Sequence, residues 1–68
     1  MARSNLVDVP DVEFLYHTDK AVLFLVDGKD IWIPKSMCEV DPDPDTCDRH
    51  DLVTVTLAEP LAIEKGLI

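Results

Sequence analysis

Asp41, Asp43, Asp45, Asp48 and Asp51 crowd one short stretch, and carboxylates recurring in this way are what a hard cation such as calcium requires. A calcium loop of the EF-hand kind needs Gly at its sixth position and Glu at its twelfth, and counted from Asp41 these positions hold Thr46 and Leu52. The stretch therefore reads as a solvated acidic loop whose carboxylates, if they are used, meet a protein partner. Cys38, Cys47 and His50, joined by His17 or an Asp, are the residue types of a tetrahedral zinc site. Only Cys47 and His50 lie close enough to form one knuckle, so no metal is favoured and no cofactor is expected. A disulfide between Cys38 and Cys47 would contribute about 3 kcal/mol in the chain-entropy model, but a reducing compartment argues against it.

Catalytic groupings are no better supported. His17 has Glu13 and Asp19 nearby in sequence, yet acid–base work needs a pocket and a third group to orient the ring. Ser36 follows Pro34-Lys35 as a turn or helix-cap residue, with no Ser-His-Asp arrangement around it. No catalytic residue is expected, and the chain is read as a non-enzyme. Trp32 is the remaining candidate. Its area favours a core position at the end of a strand; facing outward beside Tyr16 and Lys35, it would instead anchor a protein interface.

The elements that must position these groups follow from periodicity and turn chemistry. Val12, Phe14 and Tyr16 alternate with Glu13, Leu15 and His17, which predicts a half-buried strand with the first three on one face. Ala21 to Val26 is apolar throughout, as in a central strand. Asp27-Gly28 then predicts a tight hairpin into a third strand, Asp30 to Ile33, stopped by Pro34 and resumed at most over Met37 to Val40. Pro42 and Pro44 break regular structure in the acidic loop, 41–51, and Leu52 to Leu57 alternates as a fourth strand. Pro60 suits the first turn of a closing helix and Gly66 the left-handed residue just past its end. A helix so short has no stability alone and must dock. Residues 1–10 carry no period and read as a flexible arm, leaving 11–68 as a single small domain. The expected fold is α+β, mainly β: a small curled antiparallel sheet or partly open barrel of about four strands with a short C-terminal helix.

With 68 residues the chain has apolar material for one core only, and 47% hydrophobic with 29% charged residues is a globular balance. Fourteen acidic against six basic residues leave a net charge of -8, which disfavours direct nucleic-acid binding and favours basic protein partners. The amino end lacks a signal-peptide pattern and no apolar run approaches the roughly 18 residues of a membrane span, so the expected location is cytoplasmic.

Trp32-Ile33-Pro34-Lys35-Ser36 after a hairpin, with Leu61-Ala62-Ile63-Glu64-Lys65-Gly66-Leu67-Ile68 at the end, resembles a group of small uncharacterised proteins of tailed phages and prophages. The chain departs from their pattern at Met37 and at Ala58-Glu59-Pro60. The resemblance implies a phage protein acting in the cytoplasm of a bacterial host. Together these observations lead to the expectation of a non-catalytic accessory protein that binds a host or phage protein through Trp32 or the aspartates of the loop. A sharper form is an acidic inhibitor of a host defence or nucleic-acid-processing protein. The alternatives are a self-assembling structural protein, with a homodimer as its simplest form, or a small metal-stapled domain.

Overall fold

A computed structural model describes residues 5–68. The order of elements is β1 (Leu6–His17), β2 (Ala21–Val26), β3 (Lys29–Pro34), a 3-10 turn (Lys35–Met37), β4 (Cys38–Asp41), a second 3-10 turn (Pro44–Thr46), β5 (Leu52–Ala58) and α1 (Glu59–Glu64). All pairings are antiparallel, in the spatial order β3-β2-β1-β5-β4, so β1 is central and β3 and β4 are the edges. The expected α+β fold is observed, with five strands in an unclosed sheet where four were anticipated. The extra strand is Cys38–Asp41. It does not resume β3 but crosses to the opposite edge and pairs with β5, where Val40 lies against Val55.

That crossing forces the sheet to curl. Laid flat, five strands would separate the edges by about 19 Å across four gaps. The chain from Pro34 to Cys38 spans at most about 14 Å even when extended, and here it is partly wound into a 3-10 turn. Two bulges in β1 supply the bend. Val9 pairs with Val55 and Val12 with Val53, so β1 carries one residue more than β5 over this interval. Asp11 takes up the slack at φ 58, a left-handed conformation that Asp tolerates better than most side chains. Farther on, Phe14 pairs with Phe24 but Tyr16 with Leu23, so Leu15 is the inserted residue.

The second bulge corrects the predicted face of β1. An inserted residue reverses the parity of every position beyond it. Phe14 stays in the core, while Tyr16 is turned outward and 56% exposed, and His17 returns to the inner side opposite Val22. The predicted arm is corrected as well: residues 6–9 pair with β5, from Leu6 opposite Ala58 to Val9 opposite Val55. The alternation that marks a strand is present there as Val7 and Val9, hidden by Pro10 and Asp11. The rest of that expectation, residues 1–4, lies outside the described residues.

The concave face holds the core, in which Val22, Phe24, Ile33, Val55 and Leu57 are essentially inaccessible. The closing helix docks on it as expected: Ala62 is fully buried, with Leu61 and Leu67 packed around it. Its C-terminus is a Schellman motif. Leu67 N–H donates to Ala62 C=O at 2.8 Å and Gly66 N–H to Ile63 C=O at 3.1 Å, with Gly66 at φ +81. A Cβ at Gly66 would touch nothing within 4 Å, so its substitution tests the backbone conformation alone. Gly66→Ala is expected to cost about 1–2 kcal/mol, seen as a lower urea midpoint with unchanged slope. An unchanged midpoint would show that α1 contributes nothing to the cooperative unit. No described helix is long and apolar enough to cross a membrane.

Candidate functional site

The convex face of the sheet is the candidate site, and its composition follows from strand register. Hairpin β2–β3 turns through Asp27 (φ 51) and Gly28 (φ 78), and this two-residue turn fixes Val26 opposite Lys29 and hence Leu23 opposite Trp32. Because Ile31 and Ile33 take the inner positions, Trp32 is delivered to the outside, 45% exposed. This corrects the expectation of a core tryptophan. The bulge at Leu15 brings Tyr16 into register with the same Leu23. Tyr16, Leu23 and Trp32 thus form one continuous row across three strands. The next row on this face is Glu13, Leu25 and Asp30, extended by the exposed Leu52 opposite Glu13.

Farther across, Asp8 pairs with Thr56, whose hydroxyl donates to its carboxylate at 2.6 Å, and Glu39 and Asp41 of β4 lie opposite Thr56 and Thr54. Among the described residues no Lys or Arg takes an outward strand position. Lys20, Lys29, Lys35, Arg49 and Lys65 sit in turns, on the inner-face register, in the loop or on the helix end. Arg49 shares a shallow depression with Leu15 and Tyr16 at the margin of the row.

The acidic loop spends much of its charge on itself. Asp43 accepts from Asp45 N–H at 2.9 Å as the cap of the second 3-10 turn, and Asp51 accepts from Asp48 N–H at 2.8 Å. Asp45 reaches His17 Nε2 at 3.5 Å, while Lys35 Nζ donates to His17 Nδ1 at 3.0 Å. That bond makes Nδ1 the acceptor and leaves the ring proton on Nε2, facing Asp45. His17 is therefore a strut tying the end of β1 to the loop and to the first 3-10 turn, and among the described residues the Asp19 and Glu13 partners considered from sequence form no hydrogen bond or ion pair with it. Asp41 and Asp48 remain exposed, with no side-chain partner in the described residues. Backbone bonds from Phe14 N–H to Asp51 C=O and from His50 N–H to Phe14 C=O lay the loop's second half along β1.

The metal candidates are not brought together. Cys38 Sγ donates to Pro34 C=O, Cys47 Sγ to Pro42 and Asp43 C=O, and His50 pairs with Glu13. Among the described residues no three His, Cys, Asp or Glu side chains converge as a metal site would require. Both thiols are free. Burial raises the pKa of Cys38; at Cys47 burial does so first, followed by the carboxylates of Asp51, Asp43 and Asp48, against a lowering hydrogen bond from Thr46. A raised thiol pKa favours the neutral form in the folded state. Its contribution to stability is present below the unfolded thiol value, about 8.5, and is lost as pH climbs through the folded values. At neutral pH both thiols should react with iodoacetamide more slowly in the native protein than in urea. Equal rates would show that the thiols are not shielded as described.

Ser36 is exposed, with no hydrogen-bonded histidine among the described residues. Sequence reasoning names Tyr16 only as a neighbour of an outward-facing Trp32 and does not name Leu23, although the Asp27-Gly28 hairpin alone pairs Leu23 with Trp32. Tyr16 depended on a bulge for which the sequence carries no mark. Comparison with known proteins returns no matching family model, no matching curated protein and no matching solved structure.

Proposed function

We propose that this chain is a non-catalytic protein-binding module that engages its partner through the convex sheet face. The observation that carries the reading is the outward row Tyr16–Leu23–Trp32. A tryptophan half in water, next to a tyrosine and a leucine and held by a rigid sheet, has the composition of an interface hot spot. A sheet of this length also spends stability to leave such area unburied, so a use for it is the economical account. A phage accessory role inside a bacterial host rests on the sequence resemblance, and inhibition of a nucleic-acid-processing or defence protein is its sharper form.

Self-assembly through strand edges is the less favoured alternative. The edge strand β3 ends in Pro34 and β4 is followed by Pro42, residues with no N–H to offer a further strand. The test is affinity capture from bacterial lysate with the wild type, Trp32→Ala, and Ile63→Ala as a control at an exposed apolar position on the helix. A protein retained by the wild type and Ile63→Ala but lost with Trp32→Ala supports the proposal. Recovery that is the same for all three, or absent from all, rejects it.

A further inference from the structure

We infer that the occupant of the convex face is a basic protein segment with an apolar stripe, its aliphatic side chains on the Tyr16–Leu23–Trp32 row and its Lys or Arg side chains over Glu13 and Asp30. This rests on the reading of that face as the binding surface and adds the chemistry of what it takes. The argument is charge complementarity at fixed positions. Asp30 stands two residues from Trp32 on the outer side of β3, and Glu13 lies across Leu25 from it, so a carboxylate stands at each end of the row beside the apolar one. Asp8, Glu39 and Asp41 extend the negative field across β5 and β4, where no described outward strand position carries a Lys or Arg; basic groups near the row include His50 on Glu13, and Lys29 and Lys65, which share a depression with Asp30 and Trp32.

Glu13 already pairs with His50 and Asp8 accepts from Thr56, but Asp30 has no side-chain hydrogen bond or ion pair among the described residues, and an acidic or neutral apolar partner would bury its carboxylate uncompensated. A basic segment pairs it at the rim, where such contacts select the partner and speed encounter. The acidic loop is the weaker claimant for the same partner, since Asp43, Asp45 and Asp51 already hold the loop together.

Trp32 is the chain's single tryptophan and reports directly on the surface. The experiment titrates the full chain with synthetic amphipathic helical peptides that share one leucine face and carry lysine, glutamine or glutamate on the other, reading Trp32 emission. The lysine peptide should shift the emission to shorter wavelength and bind at least about tenfold tighter than the glutamate peptide, corresponding to about 1.4 kcal/mol. Glu13→Gln with Asp30→Asn should weaken it severalfold. Asp19→Asn with Glu59→Gln, which removes the same charge at two exposed positions elsewhere, should leave it unchanged.

Equal binding of all three peptides through Trp32 would overturn the inference while leaving the face as a docking surface. Lysine-peptide binding with unmoved Trp32 emission, or weakened alike by both double variants, would mean diffuse attraction to an acidic protein and would overturn it too. Binding of none overturns it, and the capture experiment then judges the underlying reading separately.

Discussion

Replacing Phe24 by alanine is expected to remove about 3–5 kcal/mol of stability and to leave much of the protein unfolded at physiological temperature. Phe24 is fully buried in a strand flanked on both sides, opposite Phe14 on β1 and Ile31 on β3. Its removal opens a void in the middle of the concave core, where neighbours on paired strands cannot close in without breaking the ladder. Domains of this length have about 3–10 kcal/mol in total, so the loss is comparable with the whole. Phe24→Leu keeps most of the volume and should remain folded with a smaller deficit. Circular dichroism melts of the three proteins give the result. A Phe24→Ala melting temperature within a few degrees of the wild type would contradict the described core.

Trp32→Ala is expected to behave in the opposite way, with a stability loss of no more than about 1 kcal/mol and a loss of partner affinity of about 2–4 kcal/mol, roughly thirtyfold to a thousandfold. The small first figure follows from placement. Trp32 touches the sheet with one side only, and the inner neighbours Ile31 and Ile33 keep β3 packed after it is gone. The large second figure follows from what a truncated aromatic anchor leaves behind, an unfilled contact at the centre of the interface. Measured side by side, a melt and a binding isotherm separate a core tryptophan from an interface tryptophan. A Trp32→Ala protein that unfolds as readily as Phe24→Ala, or binds like the wild type, would refute the assignment.

Much of the scaffold was legible in advance because it is written in local chemistry. Asp27-Gly28 prescribes its turn through the positive φ that both residues accept, and the turn in its own right sets the register of β2 against β3. Pro60 and Gly66 bracket the helix because one lacks an N–H that the first turn does not use and the other adopts the left-handed cap. Leu52 to Leu57 shows its buried face by simple alternation, and Val53, Val55 and Leu57 are the residues buried there.

The site was less legible, and the misassigned residues share a cause. A period of two places Tyr16 with Phe14 only on an uninterrupted strand, whereas the inserted Leu15 shifts the register of β1 against β2 and has no compositional mark. The size of Trp32 favours the core and leaves the outward face as the alternative, because size states a preference for burial and not which face is available. Ile31 and Ile33 claimed the inner positions. Met37 to Val40 offers at most a resumption of β3, because adjacency in sequence says nothing about which edge a strand joins, and pairing with β5 at the opposite edge of the unclosed sheet settled its place. Turns, caps and unbroken alternation thus follow from the order of residues, since each depends on neighbours along the chain. Which side chains share a surface depends on bulges and strand crossings set by packing between distant segments, and the outward row of Tyr16, Leu23 and Trp32 belongs to that second kind.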